Sequence, residues 1–297
     1  MLLEYKDSVS EDYRTEDVLS FYARDPHSVS DRSSPQGITK ALLYNGRTPA
    51  VLTIQFNQQQ FSAQLQFSSH EPSVSATQFQ AWIKHLTGLD QSIDEFEQRF
   101  STQPDIGTII QQQRGLRIIP TASVFEAISW AILGQQISVA AALSLRRKLI
   151  QITNIQLPCG LYCYPAAEQV ARLSVAQLSN IGLSETKAFA LLRVSELIAQ
   201  GKINTLRCTS PEEAQRFMQQ LTAIKGIGPW TAHYSLMRGH GWLDSSVEGD
   251  GAIQRHLATL LNKERITAKE AYTWLAQFSP WRSLVAAHLW HSAGIRA

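Results

Sequence analysis

Hydrophobic and polar positions in the first hundred residues follow the two-residue period of β-strands. In residues 61–68, Phe, Ala, Leu and Phe alternate with Ser and Gln, which predicts a strand with one buried face. Residues 40–44 and 47–56 flank Asn45-Gly46, the pair most typical of a type I′ hairpin turn. The pattern therefore predicts an antiparallel meander with one dry face.

One segment of the same region has the period of a helix instead. Residues 78–89 place Phe79, Trp82, Ile83 and Leu86 at helical spacing. Nothing in this region has the pattern of a reactive site. We interpret it as a scaffold that braces the remainder of the chain.

From Pro104 onward the apolar positions recur at helical spacing and continue to do so. Ser123 and Glu126 form a capping box before one helix, and residues 185–200 predict another that ends before Gly201. Further helix starts are predicted at Ser138, Pro165, Ser210-Pro211, Thr267 and Ser279-Pro280. Residues 178–183, with Ile181-Gly182, predict a weaker helical hairpin.

Composition limits the class of protein. The 297 residues are 44% apolar and 18% charged, which predicts a globular chain of two or three domains. The net charge is only +2, so any footprint for nucleic acid has to be local. Arg146-Arg147-Lys148 is the densest basic run, and we interpret it as a solvated helix end.

The cysteines and the apolar runs of the sequence indicate where in the cell the protein is expected. Cys159 and Cys163 lack the second pair of Cys or His ligands that a zinc site needs, so we expect a reduced, intracellular protein. The first residues lack the basic start and apolar core of a signal peptide, and no apolar run is long enough to span a bilayer.

The segment 221–232, Leu-Thr-Ala-Ile-Lys-Gly-Ile-Gly-Pro-Trp-Thr-Ala, carries the most specific pattern. Gly226 and Gly228 permit a tight turn, and Pro229 suits the first position of the helix that follows. Such a helix start presents unpaired N–H groups at the positive end of a helix dipole, which is a site for phosphate. Twenty residues beyond Trp230, Asp250 lies between two glycines at the start of another helix.

Together these motifs resemble the helix-hairpin-helix superfamily of DNA glycosylases, defined by the hairpin, a Gly/Pro-rich loop and an invariant Asp. Within it the chain is most similar to the 3-methyladenine DNA glycosylase II (AlkA) type, strongly from about Phe125 to the C-terminus. The resemblance implies an α+β fold. It consists of a small N-terminal domain with an antiparallel, TBP-like sheet and helices (residues 1–103), and the resemblance implies a helix over residues 16–23. A two-lobed helical catalytic domain follows (104–297), with the hairpin near 211–238.

For DNA binding, the resemblance implies backbone contacts from the hairpin residues Lys225, Gly226, Ile227, Gly228 and Thr231. It also implies a monovalent ion, Na⁺ or K⁺, at carbonyls within residues 224–227, those of Ile224 and Ile227 in particular. The family inserts an apolar wedge into the gap left by a flipped nucleotide. At that position this chain has Gln136 followed by Ile137, and either side chain could fill the gap.

For chemistry, the resemblance assigns the catalytic carboxylate to Asp250. A short acid before a helix is most often a plain N-cap, but the upstream motif favours the catalytic interpretation. Glu248 is the local competitor, and Asp244 is a weaker one. The family often has Pro three residues before the Asp, where this chain has Val247, so we expect Gly249 and Gly251 to supply the bend instead.

The base pocket is assigned to three aromatic residues, Trp230, Tyr234 and Trp290. Trp230 and Tyr234 are four apart on one helix and share a face, whereas Trp82, Trp130 and Trp274 are interpreted as core. Aromatic faces hold cationic bases well, and alkylation makes a purine both cationic and a good leaving group. We therefore expect a DNA repair glycosylase of the base excision type that flips out alkylated purines and leaves an abasic site.

Family members that also cut the strand carry Lys where this chain has Trp230, so a monofunctional enzyme is expected. Two alternatives remain open: an oxidised-base glycosylase of the same superfamily, and a non-catalytic helix-hairpin-helix DNA-binding protein. We expect damaged double-stranded DNA as the partner of a monomer, no membrane, and a cytoplasmic, nucleoid-associated location. No cofactor is expected to be required, and no iron–sulfur cluster, because no Cys follows Cys208.

Overall fold

A five-stranded antiparallel sheet forms the N-terminal part of the protein. The structure, a computed structural model, describes residues 2–68 and 74–294. The strands are β1 (Leu2–Ser8), β2 (Asp31–Ser34), β3 (Gly37–Tyr44), β4 (Thr48–Asn57) and β5 (Gln60–Phe67). Their order in the sheet is β1-β5-β4-β3-β2. The meander β3-β4-β5 is confirmed, whereas the edge strands β1 and β2 were not predicted.

The β3–β4 hairpin has the turn that its sequence predicts. Asn45 and Gly46 both adopt positive φ, 51° and 75°, as a type I′ turn requires. On β5 the apolar residues Phe61, Ala63, Leu65 and Phe67 are all buried, while the residues between them are more exposed. The alternating pattern therefore predicted correctly which face of β5 is buried.

Helices α1 (Thr15–Tyr22) and α2 (Ala76–Leu86) pack on this buried face. Val18 and Phe21 of α1 and Phe79 and Ile83 of α2 join the sheet residues in one apolar cluster. A capping box at Ser75 starts α2 two residues before the predicted position. The predicted helices over 16–23 and 78–89 are thus present with small shifts at their ends.

The remaining chain is helical. After α3 (Asp94–Phe100), the helices are α4 (Gly107–Gln112), α5 (Val124–Gly134), α6 (Val139–Thr153), α7 (Ala167–Val170), α8 (Val175–Asn180), α9 (Glu185–Ala199), α10 (Pro211–Thr222), α11 (Pro229–His240), α12 (Gly251–Leu260), α13 (Ala268–Ala276) and α14 (Arg282–Ser292). Helices α7 and α14 each begin two residues after the proline that was predicted to open them. Within the described ranges, no helix is both long and apolar enough to cross a bilayer.

Two apolar cores divide the helical part into two lobes. One core collects residues from α3, α4 and α12 to α14, and the other collects residues from α6 to α10. Helices α5 and α11 belong to both, since Tyr234 and Met237 face the first core while Ala232 and Leu236 face the second. The predicted α+β class with a two-lobed helical part is confirmed. The domain boundary at residues 103 and 104 stays a prediction.

A buried ionic cluster joins the sheet to the helical part. Lys40 on β3 is 1% exposed and lies 2.6 Å from Asp31 and 2.9 Å from Glu126. Arg146 on α6 lies 2.5 Å from Asp31 and 3.4 Å from both Glu126 and Asp25. Burial alone would raise the pKa of Asp31, but Lys40 and Arg146 together lower it.

The cluster corrects two interpretations of the sequence. Arg146 is buried rather than part of a solvated helix end. Ser123 caps α5 as predicted, by accepting a hydrogen bond from the Glu126 N–H, but the Glu126 carboxylate turns to Lys40 and Arg146. The predicted capping box is therefore only half present, because pairing with two buried cations outweighs a bond to one backbone N–H.

We predict that Lys40→Met lowers the free energy of unfolding by about 3–5 kcal/mol, since it leaves Asp31 and Glu126 to share one buried cation. Denaturant unfolding measures the loss. Lys263→Met, which breaks an exposed pair with Glu270, is the control and should change little. Equal stability of the two variants would contradict the role given to the cluster.

Candidate active site

Asp250 is the N-cap of α12. Its Oδ1 accepts hydrogen bonds from the backbone N–H groups of Ala252 (2.9 Å) and Ile253 (3.1 Å). The backbone φ and ψ of Asp250, −74° and 121°, lie in the extended region usual for this position. The capping interpretation of this acid is therefore correct as a description of its local structure.

The same carboxylate also accepts hydrogen bonds from two indole rings. Trp230 Nε1 donates to Oδ2 and Trp290 Nε1 donates to Oδ1, each over 3.2 Å. The two tryptophans come from α11 and α14, so three helices converge on one carboxyl group. Oδ1 accepts three of the described bonds and Oδ2 accepts one, which leaves Oδ2 with a spare acceptor site.

The three aromatic residues named from the sequence form one cluster. Ring centroids are 5.4 Å apart for Trp230 and Tyr234, and 6.3 Å apart for Tyr234 and Trp290. Trp230 is half-buried, whereas Tyr234 and Trp290 are only 4% and 3% exposed. A base can thus reach Trp230 directly, but stacking on the other two rings requires neighbouring side chains to move.

Trp290 also lines a cavity of about 310 Å³, whose described lining does not include Asp250, Trp230 or Tyr234. Phe21 from α1 and Arg238 from α11 also line it. The guanidinium of Arg238 lies 5.2 Å from the ring centroid of Phe21 and 5.9 Å from that of Trp290. Burial lowers the pKa of Arg238 to about 10, so it stays charged at neutral pH.

Helix α1 therefore contributes to the surroundings of the site, which sequence reasoning missed. The Arg24 guanidinium lies 3.8 Å from the ring centroid of Phe21 and 5.4 Å from that of Trp130. Trp130 packs against the core as interpreted, yet it remains half-buried beside this cation. Nothing in the period of residues 16–23 distinguishes Phe21 from an ordinary core residue.

Helices α10 and α11 form the predicted helical hairpin. Gly226 has φ 93°, and a Cβ there would lie 3.2 Å from side-chain atoms of Thr186 and Ala190 on α9, so the turn itself requires glycine. Gly228 has an ordinary φ of −92° and open space around it. Its lack of a side chain is therefore not demanded by the described part of the protein.

The other hairpin residues differ in exposure. Lys225 is exposed, whereas Thr231 is 2% exposed and its hydroxyl accepts a bond from the Gln135 side chain at 2.9 Å. The Thr231 hydroxyl therefore takes part in a hydrogen bond within the protein. The Ile224 carbonyl accepts a bond from the Ile227 N–H at 3.0 Å and retains one lone pair.

The connector between α5 and α6 presents both wedge candidates to solvent. Gln136 is exposed and has φ 57°, and Ile137 is 39% exposed. Exposed Val139 follows at the start of α6, which Ser138 caps as predicted. The choice between Gln136 and Ile137 stays a prediction.

The competing acids are placed differently from Asp250. Asp244 pairs with Arg282 at 2.6 Å and accepts a bond from Ser279 at 2.9 Å. Glu248 accepts a bond from Gln254 through its backbone carbonyl, and its Oε2 is buried without a partner among the described residues. Asp250 is the one of the three with hydrogen bonds to the aromatic cluster among the described contacts.

Comparison with known proteins agrees with this geometry. A family model described as HhH-GPD superfamily base excision DNA repair protein matches residues 129–279, slightly more than half of the chain. The chain is 27% identical over 215 residues to the DNA-3-methyladenine glycosylase of Bacillus subtilis, covering 70% of each protein. It is 28% identical over 191 residues to DNA-3-methyladenine glycosylase 2 of Escherichia coli, covering 64% of each.

The fold is similar to that of a 3-methyladenine DNA-glycosylase from Archaeoglobus fulgidus, with a TM-score of 0.77 over 96% of both chains. At 18% identity this likeness concerns the fold alone. The family match instead spans the hairpin, Trp230, Tyr234 and Asp250. The chain belongs to the HhH-GPD superfamily of base excision DNA repair proteins.

Proposed function

We propose that the protein is a DNA glycosylase of base excision repair that flips out alkylated purines of the 3-methyladenine class. It hydrolyses the bond from sugar to base and leaves an abasic site. The observation that carries the proposal is the carboxylate of Asp250, held between the indole N–H groups of Trp230 and Trp290. The names of the two bacterial relatives support the substrate class.

The chemistry assigned to Asp250 is electrostatic. Breaking an N-glycosidic bond builds positive charge on the sugar, and a fixed anion next to the sugar stabilises that charge. The four N–H donors hold the carboxylate in one orientation, so little reorganisation is needed when the charge develops. The spare acceptor site on Oδ2 is the place where a water or the sugar edge can be held.

Substrate selection is assigned to the aromatic cluster. Trp230 offers the accessible ring, and a cationic alkylated purine gains from its π face. Because alkylation also weakens the glycosidic bond, such a base needs little hydrogen-bond recognition. We place the base on the Asp250 side of Trp290, since the charged Arg238 guanidinium near this ring would repel a cation.

The grip on DNA is assigned to the start of α11. Its N-cap is Gly228, and no side chain caps it, whereas serines cap α9 and α10. The free N–H groups of the first turn, with exposed Lys225, suit a phosphate. Carbonyl oxygens of Ile224 and Ile227 have lone pairs available for Na⁺ or K⁺, which would add positive charge beside that phosphate.

We predict that Asp250→Asn reduces excision of 3-methyladenine by about 100-fold or more while binding of DNA is kept. Asparagine retains the capping oxygen, so α12 should form as before. Single-turnover release of base from methylated duplex and anisotropy on the same DNA provide the two measurements. Asp244→Asn is the matched control. If Asp250→Asn still excised at the normal rate, the assigned chemistry would be wrong.

We predict that Gly228→Ser weakens binding of duplex DNA about tenfold without lowering the thermal midpoint. The backbone angles at Gly228 suit a capping serine, whose hydroxyl would occupy the N–H groups meant for phosphate. Gly226→Ala is the comparison, and it should be destabilised by its positive φ and by the contact with α9. Unchanged DNA affinity in Gly228→Ser would place the phosphate elsewhere.

We predict that borohydride traps no covalent adduct with DNA, because Trp230 stands where strand-cutting relatives carry a nucleophilic Lys. The product should be an abasic strand that breaks only after treatment with alkali. A bifunctional glycosylase run in parallel shows that trapping works. A trapped adduct would mean that another amine attacks the sugar and that the enzyme also cuts the strand.

A further inference from the structure

Gln135 joins two parts of the site that are far apart in sequence. It is the last residue before the wedge candidates, and its Nε2 lies 3.0 Å from the Gly226 carbonyl and 2.9 Å from the Thr231 hydroxyl. One amide group therefore donates both of its hydrogens to the hairpin. The side chain is half-buried, so water competes with these bonds less than it would at the surface.

A second side-chain hydrogen bond holds the C-terminal end of α5. Lys187 of α9 donates to the Leu133 carbonyl at 2.8 Å, at the negative end of the α5 dipole. Helix α9 also packs against Gly226 through Thr186 and Ala190. The hairpin, α9 and the connector are thus fixed to one another.

The backbone conformation of the connector explains why the hydrogen bonds of Gln135 are needed there. Gln136 has φ 57°, a conformation that non-glycine residues adopt at a cost and that persists only when neighbours enforce it. Gln135, directly before it, is held by two bonds to the hairpin. Release of Gln135 would let residue 136 relax toward negative φ and turn the wedge candidates away from their present direction.

We propose that Gln135 is a positioning residue that couples phosphate binding by the hairpin to insertion of the wedge residue, Gln136 or Ile137, into the duplex. This inference rests on the proposed function. When the start of α11 seats on a phosphate, the Gln135 amide fixes the distance and direction from that phosphate to Gln136 and Ile137. Binding at the hairpin and extrusion of the nucleotide are thereby one event rather than two independent ones.

The test measures DNA binding and extrusion of the nucleotide separately in the variant Gln135→Leu. A duplex with 2-aminopurine next to the lesion reports extrusion by fluorescence, and anisotropy on undamaged duplex reports the hairpin grip. We expect affinity for undamaged DNA within about twofold of wild type, with extrusion and single-turnover excision reduced about tenfold. Gln91→Leu, which removes an amide bonded to Ile118 away from the hairpin, controls for lost stability.

A second variant distinguishes the proposed coupling from a loss of excision that is caused by a general loss of structure. Thr231→Val removes one of the two acceptors of Gln135, and the double variant Gln135→Leu/Thr231→Val should be no slower than Gln135→Leu alone. Additive losses would overturn the proposal. So would wild-type extrusion in Gln135→Leu, or an equal loss of undamaged-DNA binding and excision. If the wild-type protein excised no damaged base, the proposed function itself would fail, which is a distinguishable result.

Discussion

The arrangement of the site depends on one carboxylate that serves two structural demands at once. Asp250 satisfies backbone N–H groups at the start of α12, which fixes the carboxyl group relative to that helix. It also accepts bonds from Trp230 and Trp290, which fixes α11 and α14 relative to it. The N-cap role and the proposed catalytic role of Asp250 are therefore compatible, since the capping bonds hold the carboxylate in place.

The fixed geometry at Asp250 rests on the first apolar core, to which α11, α12 and α14 all contribute. Helices α5 and α11 contribute to both apolar cores, so movement of one lobe disturbs the packing of the other. The ionic cluster of Lys40, Asp31, Glu126 and Arg146 then fastens the sheet to α5 and α6. Helix α1 packs on the same sheet, and its Phe21 lines the cavity that Trp290 also lines.

Local signals gave most of the fold, and contacts across long sequence separations account for what was missed. Asn45-Gly46, Ser210-Pro211 and the Thr267 capping box each act within a few residues, and each is found as predicted. Trp230, Tyr234, Trp290 and Asp250, which the family resemblance assigns to one site, lie next to one another, and their roles stay predictions. Glu126, Arg146 and Gln135 were misread or overlooked because the partners in these bonds lie 86 to 115 residues away in sequence.

The start of α11 differs from several other helix starts of the protein because no side chain caps it. Hydroxyl or carboxylate side chains cap α9, α10, α12 and α13, and each accepts bonds from one or two first-turn N–H groups, whereas α1, α11 and α14 have no described side-chain cap. Helix α11 begins with Gly228 and Pro229, which offer no such oxygen. Unsatisfied N–H groups at a helix end need a partner from outside, and a phosphate oxygen meets both the hydrogen-bonding and the dipole requirement. The open space around Gly228 would let the proposed phosphate come close, which a side chain would prevent.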